Sequence, residues 1–421
     1  MLAVSLRSLR FVPPAGVGFA MLLLCGAVTA QQAPAAAPAP AAAPAQPWQQ
    51  GRSAAQEEST LHPFAPHMTG RPAQELPINT LRVPPGFKVE VWVDGVPEAR
   101  SLALGDKGTV FVSNRNGKNV YAVVDRGGKR EVKTILKGLD APNGITFSKG
   151  TLYVAERGRI TRYDGIEGQL DTPPAAKVVI DNLDPNRQPG HFWKFLALGP
   201  DGKLYFNVGA PGNIVMPNYM QASIMRVDPG KGVLETVALG VRNSVGFDWN
   251  PKTKELWFTN HGRDWLGDDA PNDTLNRVSK RVPNFGYPFC HQGDILDPEY
   301  GKNRSCAEFT PPVLKLGAHI APLGMRFYTG KMFPAEYQNN IFIAMHGSWN
   351  RNTKQGYNVT RVTFDADGTP TMRPFLTGFL TDAKADPPMW GRPVDLLVLH
   401  DGSMLVSDDY NGIIYRVSYA K

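Results

Sequence analysis

The chain has 421 residues, 42% of them hydrophobic and 20% charged, and a formal net charge of +7 at pH 7. Charges of both signs are interspersed instead of forming a basic block, which argues against a nucleic-acid-binding protein. The length is ample for one large domain. No stretch after the N-terminal region reaches the roughly 18 uninterrupted apolar residues of a transmembrane helix, so we expect no membrane span.

Residues 1–30 have the pattern of a secretory signal peptide. Arg7 and Arg10 make the start positive, residues 15–30 are uncharged and mostly apolar, and Ala30 ends a small-residue cleavage motif. Such a segment directs export and is then removed. We therefore expect a periplasmic or secreted protein.

The next segment is rich in alanine and proline. Residues 31–50 contain nine alanines and five prolines, so they have little to bury and favour a semi-extended spacer. We predict a disordered linker over residues 31–75 and a folded domain over residues 76–421.

Cys290 and Cys306 are the two cysteines that remain once the signal peptide is removed. An even pair in an oxidising compartment favours one disulfide, here closing a loop with fifteen residues between its ends. Two independent buried thiols are the alternative. The sequence has no C-x-x-C-H motif, so the chain carries no c-type haem of its own.

A unit of two short strands recurs six times. Each unit has an apolar run, a short turn of Gly, Asp, Lys or Asn, and a second alternating run, which is typical of β-hairpins. Equivalent positions lie 42, 52, 52, 85 and 64 residues apart, and several units continue into a third strand. The units span residues 102–113, 144–155, 195–206, 246–258, 325–344 and 395–407.

This repeat predicts an all-β, six-bladed β-propeller of four-stranded antiparallel blades, because such blades recur at about 40–50 residues and the longer gaps accommodate loops. We expect an early strand near residues 87–92 to close the ring by pairing with the last blade. A pair of β-sandwiches is the alternative, and the regular recurrence of one unit fits it less well.

Candidate functional residues lie in polar loops next to these units. His191 precedes the third unit, and a neutral imidazole there suits removal of a proton from an alcohol. A loop histidine bonded to the backbone is the alternative. Arg242 and Asn243 end a strand; they suit a carboxylate and a carbonyl respectively, or a capping ion pair at a blade edge.

Further basic residues lie at comparable places in other blades. Arg115 follows the first unit, His346 and Arg351 belong to the motif His-Gly-Ser-Trp-Asn-Arg, and Arg392 precedes the last unit. With Arg242, these arginines come from different blades and would form a pocket for an anionic ligand if they face one channel. Trp349 in the same motif suits stacking on a planar ligand or a sugar, or packing between blades.

Residues 260–273 form the most polar loop of the chain. Asp264, Asp268, Asp269 and Asp273 lie there among glycines, and such dense oxygen donors suit a hard cation such as Ca²⁺. The spacing is not that of an EF-hand. A solvated acidic loop is the alternative.

Taken together, these motifs resemble the glucose/sorbosone dehydrogenase family, most closely its sorbosone and pyranose dehydrogenase branch. The resemblance covers about residues 81–416. Members are six-bladed propellers that use pyrroloquinoline quinone (PQQ) with Ca²⁺. The motifs that carry the resemblance are His191 before Leu-Gly-Pro-Asp-Gly-Lys-Leu-Tyr, the pair Arg242-Asn243, His261-Gly262 leading into Asn272-Asp273, the motif of residues 346–351, and Gly391-Arg392-Pro393-Val394.

The resemblance implies a role for each candidate. His191 would be the general base that takes the proton of a substrate hydroxyl while hydride passes to the quinone. The backbone carbonyls of Gly262 and Arg263, with Asp273, would hold Ca²⁺. The side chains that would hold PQQ are Arg242, Asn243, Arg392, His346, Arg351 and Arg115.

The resemblance also implies a substrate class and an electron acceptor. We expect an exported dehydrogenase that oxidises a sugar or a sugar-derived aldehyde and passes electrons to an external cytochrome or quinone. Gly190 stands where the soluble glucose enzymes of the family carry Asp, so glucose itself is not implied. A Ca²⁺-dependent lactonase-type propeller and a ligand-binding propeller without chemistry are the alternatives; dye reduction that depends on PQQ would separate them from the dehydrogenase.

Overall fold

The computed structural model of the chain describes residues 46–420. The predicted signal peptide and the first part of the predicted linker lie outside the described residues. No helix within residues 46–420 is long and apolar enough to cross a membrane. The helical segments in this part of the chain are 3₁₀ turns of three residues: Pro47–Gln49, Ala54–Gln56, Ala73–Glu75, Ile78–Thr80, Ile166–Gly168, Cys306–Glu308 and Ala335–Tyr337.

The regular structure is otherwise β-strand, arranged in six four-stranded antiparallel sheets. Strand β1 (Phe87–Val93) comes first and belongs to the last blade. The first three blades take their strands in chain order: β2 (Leu102–Leu104), β3 (Val110–Ser113), β4 (Val120–Arg126) and β5 (Lys129–Leu136); β6 (Gly144–Ser148), β7 (Thr151–Ala155), β8 (Ile160–Asp164) and β9 (Lys177–Ile180); β10 (Leu196–Leu198), β11 (Leu204–Val208), β12 (Ser223–Val227) and β13 (Leu234–Leu239).

The fourth blade differs because a small hairpin interrupts it between its third and fourth strands. The remaining strands are β14 (Phe247–Trp249), β15 (Leu256–Asn260), β16 (Asn272–Arg277) and β19 (Leu314–Ala318) of the fourth blade; β17 (Cys290–His291) and β18 (Ile295–Leu296) of the hairpin; β20 (Pro322–Phe327), β21 (Ile341–Met345), β22 (Asn358–Phe364) and β23 (Pro370–Leu376) of the fifth blade; and β24 (Pro393–Val398), β25 (Met404–Asp408) and β26 (Ile413–Tyr419) of the sixth.

Each of the six sequence units forms the first two strands of one blade, so the predicted fold is confirmed. The turn between β6 and β7 illustrates the local cause. Ser148 pairs with Thr151, which leaves Lys149 and Gly150 as a two-residue loop with φ of 48° and 77°. Two positive φ values match the right-handed twist of the flanking strands, and glycine adopts one of them without strain.

The first strands of the blades lie next to each other around the ring. Strand β2 contacts β6, β6 contacts β10, β14 contacts β20, β20 contacts β24, and β24 returns to β2. Each pair of neighbouring blades encloses its own cluster of buried apolar side chains. Between the sixth and first blades, for example, Leu405 and Ile414 pack with Val110 and Val112. The core is therefore a ring of six interfaces.

Strand β1 closes this ring. It runs antiparallel to β26, with Phe87 opposite Tyr419 and Val89 opposite Val417, as the sequence predicts for residues 87–92. The Phe87 ring also lies edge-on to Phe333 and Phe375, with centroids 4.8 and 5.0 Å away. This side chain therefore joins the N-terminal strand to both the fifth and the sixth blade.

Residues 278–313 account for the longest gap between sequence units. They hold the hairpin of β17 and β18, and a disulfide joins Cys290 to Cys306. Asp297 in this insertion is buried and bonds Arg263, with 2.7 Å between Oδ2 and the guanidinium. The insertion is thus anchored to the loop that follows β15.

Residues 46–75, here called the N-terminal arm, lie against the propeller, which differs from the prediction of a disordered linker. The His67 amide donates to the Tyr410 carbonyl at 2.7 Å, and the Arg71 amide donates to the Asn411 carbonyl at 2.7 Å. The reason is local composition. The alanine- and proline-rich run ends before Trp48, and the arm carries aromatic side chains that can be buried.

Replacing Phe87 with Ala should lower the free energy of unfolding by about 3 kcal/mol, because the change removes a ring from the interface that closes the propeller. Equilibrium guanidinium unfolding measures this. Val178→Ala, on β9 and 57% exposed, is the control and should change stability by less than about 0.5 kcal/mol. Equal effects of the two substitutions would contradict the role of Phe87 in closure.

Candidate functional site

One end of the ring holds a cavity of about 420 Å³. In an antiparallel pair, the start of the first strand and the end of the second strand lie at the same edge. Residues just before the first strands and just after the second strands of the blades therefore meet around the channel. Its lining includes four arginines, three aspartates, four histidines and several aromatic side chains.

Asp409, which directly follows β25, is buried and organises a cluster of basic side chains in the cavity. Its carboxylate accepts from Arg392 Nε at 3.0 Å, from the Arg100 guanidinium at 2.8 Å and from His346 Nε2 at 3.0 Å. Burial alone would raise the pKa of Asp409, but the charges and hydrogen bonds of these three partners hold it well below its usual range. This one carboxylate therefore orients side chains from three blades.

Arg242 is a third buried arginine of the cavity. Its guanidinium donates to the Asn213 carbonyl at 2.9 Å, to Asn213 Oδ1 at 2.8 Å and to Asp264 Oδ2 at 2.8 Å. The neighbouring Asn243 contacts His261, with 3.2 Å between Nδ2 and Nδ1. The Oδ1 atom of Asn243 is buried without a hydrogen-bond partner. A bound polar group would satisfy this acceptor.

Arg115 is the least neutralised of the cavity arginines. Its Nε is buried and has no partner, its guanidinium lies 4.7 Å from the centroid of the Trp193 ring, and Glu98 is 3.9 Å away. Burial, together with the charge of Arg100, lowers the pKa of Arg115 to about 10. A buried guanidinium with an unpaired N–H donor favours binding of an anionic ligand.

His191 lies in the wall of the cavity with one defined tautomer. Its Nδ1 is 3.1 Å from the Ala210 carbonyl, which can only accept, so Nδ1 carries the proton and Nε2 is free to accept one. Burial, followed by the charge of Arg242, lowers the pKa of His191 well below its usual range. The imidazole is therefore neutral at pH 7, as a general base must be.

Two glycines allow His191 to take this position. Gly190 has φ of 89°, and a Cβ there would lie 2.4 Å from the backbone carbon of Pro211. A Cβ on Gly209 would lie 2.5 Å from the Cβ of His191. Gly190, which replaces the Asp of the soluble glucose enzymes, is thus required by close backbone packing. His191 also borders a second cavity of about 210 Å³.

Of the three predicted metal ligands, Gly262 and Asp273 line the cavity and Arg263 does not. Asp273 is 2% exposed, and its two oxygens accept from the amides of Gly262 at 2.7 Å and Ala321 at 2.8 Å. Burial raises the pKa of Asp273 to about 6. Its carboxylate therefore clamps two loops together.

The donors for a cation are limited here. Within residues 46–420, no group of three or more His, Cys, Asp or Glu side chains is arranged to hold a metal. The Arg263 side chain is turned to Asp297 and Glu299. A cation in this loop would depend on backbone carbonyls, which hard cations accept, with Asp273 as the nearby negative charge.

Arg351 does not line the cavity, which corrects its assignment to a cofactor site. Its guanidinium is held by the Asp268 carbonyl at 3.1 Å, by Asp269 at 3.1 Å and by the Thr353 carbonyl. These acidic residues of the polar loop draw the side chain away from the channel, and Trp349 from the same motif lines the cavity instead.

The other predicted side chains do meet in the cavity: His191, Arg242, Asn243, His346, Arg115 and Arg392. Sequence reasoning missed Arg100, Asp409 and Asn213. Asp409 directly follows the second strand of its blade, as His346 does, so alignment of the six units contains the signal that would have found it.

Comparison with known proteins assigns the family. The model of the TrAA12-like family matches residues 81–420. The chain belongs to the soluble glucose/sorbosone dehydrogenase family, the AA12-like PQQ sugar dehydrogenases. A relative from Borreliella burgdorferi, an uncharacterized protein, is 35% identical over 82% of this chain and 92% of its own length.

Another member is the pyrroloquinoline quinone-dependent pyranose dehydrogenase of Coprinopsis cinerea, 26% identical over 82% of this chain. The match spans 56% of that protein's length. The holo PQQ domain of C. cinerea pyranose dehydrogenase has a TM-score of 0.66 at 20% identity, covering 80% of this chain and 97% of the domain. A calcium structure of a Trichoderma reesei AA12 enzyme has a TM-score of 0.72 at 20% identity, covering 85% and 99%. These structural likenesses show the shared fold.

The histidine beside Asp409 makes the stability of this dehydrogenase-family protein depend on pH. Burial lowers the pKa of His346 to about 4, although Asp409 opposes the shift and Arg392 and Arg100 add to it. Below pH 6.5 the unfolded chain therefore binds a proton here that the folded chain excludes, so stability is complete above pH 6.5 and falls with acid down to about pH 4.

His346→Gln should remove this proton uptake by the unfolded chain. Between pH 6.5 and about pH 4, the free energy of unfolding should therefore fall with acid less steeply, by roughly 1.4 kcal/mol per pH unit. Denaturant unfolding at a series of pH values measures the slope. His400→Gln, at an exposed position, is the control. An unchanged slope in the His346 variant would contradict a buried, neutral His346.

Proposed function

We propose that this protein is a PQQ-dependent dehydrogenase that oxidises a sugar or a sugar-derived aldehyde and passes the electrons to an external acceptor. The observation that carries the proposal is a neutral histidine with a free Nε2 in the wall of a cavity whose floor is built from arginines. A general base beside buried arginines suits oxidation of an alcohol by a quinone that carries carboxylates, because the arginines can bind the carboxylates while the base takes the proton.

His191 would take the proton of the substrate hydroxyl at Nε2. The hydrogen bond from Nδ1–H to the Ala210 carbonyl keeps the ring in the tautomer that can do so. The same bond stabilises the imidazolium that forms. The chemistry that bound PQQ would supply is acceptance of the hydride from the carbon that bears this hydroxyl.

The residues of the cavity fit a planar tricarboxylate. Arg115 has a buried guanidinium nitrogen without a partner, and Asn243 has a buried oxygen without one. Arg242 and Arg392 are fixed by their carboxylate and amide partners, so they would bind carboxylates without reorganising. His346 would stand beside Arg392 at the same end of the cavity, held there by Asp409.

The carbonyls of Gly262 and Arg263 are the proposed ligands of Ca²⁺, with Asp273 as a further carboxylate of the same loop that lines the cavity. Two relatives support a cation and a cofactor in this family, because a T. reesei AA12 enzyme has been solved with calcium and the C. cinerea pyranose dehydrogenase PQQ domain in its holo form. In this chain the amides of Gly262 and Ala321 already bind Asp273. The cation would therefore take its other ligands from carbonyls, water and the cofactor.

We also propose that the protein is exported to the periplasm or secreted. The signal-like pattern of residues 1–30 supports this location, and so does the disulfide between Cys290 and Cys306, because such bonds persist in oxidising compartments. An electron acceptor in that compartment, a cytochrome or a quinone, completes the turnover.

A reconstitution assay tests the proposed function. Chelator-treated protein should reduce an artificial dye with sugars or aldehydes only after PQQ and Ca²⁺ are both added back, because the cation would help to hold the cofactor. Additions of PQQ alone and Ca²⁺ alone are the controls. Dye reduction without PQQ, or no binding of PQQ by calorimetry, would overturn the proposal; indifference to chelation would remove the cation from it.

His191→Gln should lower kcat by roughly 10²–10⁴-fold while PQQ still binds, which is the effect of losing a general base. Steady-state dye reduction measures kcat, and calorimetric titration measures the affinity for PQQ. His400→Gln is the matched control outside the cavity. A rate equal to that of the wild type in the His191 variant would assign the base to another residue.

A further inference from the structure

The N-terminal arm forms one side of the cavity. Pro47, Trp48, Pro63 and Phe64 belong to the lining, and all four are apolar. The match to the family begins only at residue 81, so these four positions lie outside the part of the chain that carries the resemblance. The arm is therefore a feature that the family assignment does not explain.

Aromatic contacts hold Trp48 in place. Its ring lies edge-on to Trp349, with 5.8 Å between the centroids, and Trp349 lies 5.5 Å from Trp265. The Arg52 guanidinium lies 5.2 Å from the Trp48 ring and 4.3 Å from the Trp265 ring. The Trp265 indole nitrogen also donates to the Trp48 carbonyl at 2.8 Å. Trp48 is thus fixed although it remains half-buried.

The arm is also bonded to the residues that build the cavity floor. Asn213 donates its amide to Gln50 Oε1 at 2.5 Å and its side chain to the Gln50 carbonyl at 2.9 Å, and Asn213 is the partner of Arg242. The Phe64 carbonyl accepts from the Arg392 guanidinium. Since both arginines are proposed to hold PQQ, the arm and the cofactor side of the cavity are parts of one assembly.

The two sides of the cavity differ in chemistry. The floor holds Arg100, Arg242 and Arg392, which are all buried, whereas the arm presents half-buried rings of Trp48 and Phe64. Buried cations suit the anionic quinone. Half-buried aromatic faces suit the C–H face of a sugar ring, because the electron-rich face of the aromatic ring attracts polarised C–H groups.

We propose that the arm is the substrate side of the active site and that Trp48 packs against the sugar ring. The inference rests on the proposed function, since it names the residue that recognises the substrate of that reaction. Trp48 is a specificity-determining contact, and Gln50 and the Phe64 carbonyl position the floor arginines around the cofactor.

Trp48→Ala should raise KM for the best pyranose substrate roughly tenfold and change kcat less than about threefold, because the ring contributes to binding and not to proton transfer. The affinity for PQQ should stay within about twofold of the wild type. Met68→Ala is the matched control, because Met68 lies on the same arm, is 42% exposed and does not line the cavity. Thermal unfolding checks that each variant folds.

Binding without turnover supplies an independent readout. Calorimetric titration of the best pyranose substrate into protein loaded with reduced PQQ, which cannot accept a hydride, should show the same tenfold loss in Trp48→Ala. If that variant does not fold, Phe64→Ala tests the second ring of the arm in the same two assays, with the same direction expected.

The outcomes separate this inference from the proposed function. Wild-type activity together with unchanged sugar binding in Trp48→Ala would overturn the inference and leave the proposed function intact. Loss of PQQ affinity in that variant would assign Trp48 to the cofactor instead and so overturn the substrate contact. If the wild type binds no PQQ, the proposed function fails. Titration of the sugar into the quinone-free protein then decides the role of the arm. Equal sugar affinity in Trp48→Ala and in the control Met68→Ala would overturn the inference.

Discussion

The buried carboxylate of Asp409 is the interaction on which the site depends. It holds Arg100 from the start of the first blade, His346 from the fifth and Arg392 from the sixth. Removing water from these groups is costly, and the hydrogen bonds among them repay the cost only in this geometry. Because Arg100 precedes β2 and Asp409 follows β25, the group can form only once the first and sixth blades have packed against each other.

Much of the fold was predictable because each blade repeats the same local chemistry. A turn such as that of Lys149 and Gly150 defines a hairpin, and alternation of apolar side chains defines which face is buried. The insertion of residues 278–313 could be predicted only as a gap, since its short strands have no repeat to compare with. The N-terminal arm was predicted wrongly over residues 46–75, because its order comes from partners far away in the sequence.

The site was predictable where the repeat itself places a residue at an edge of the ring. His191 and Arg392 were found in this way, because the antiparallel pairing of each blade brings such positions to one end. Arg351 failed this rule: it lies several residues beyond the end of β21, where contacts with Asp269 decide its direction. Trp48 carried no sequence signal for its place in the cavity, since a single aromatic residue outside the repeat says nothing of its partners.

The pairing of Phe87 with Tyr419 has a consequence for biosynthesis. Among the described strands β1 is synthesised first and its partner β26 last, so the sixth blade stays open until the other five blades have been made. During that time β1 and the inner strands next to the gap present unpaired edges, which are the surfaces through which nascent chains associate wrongly. Closure between such distant segments is also slow. The yield of native protein will therefore depend on how well the edges of the open ring are protected in the interval before β1 and β26 pair.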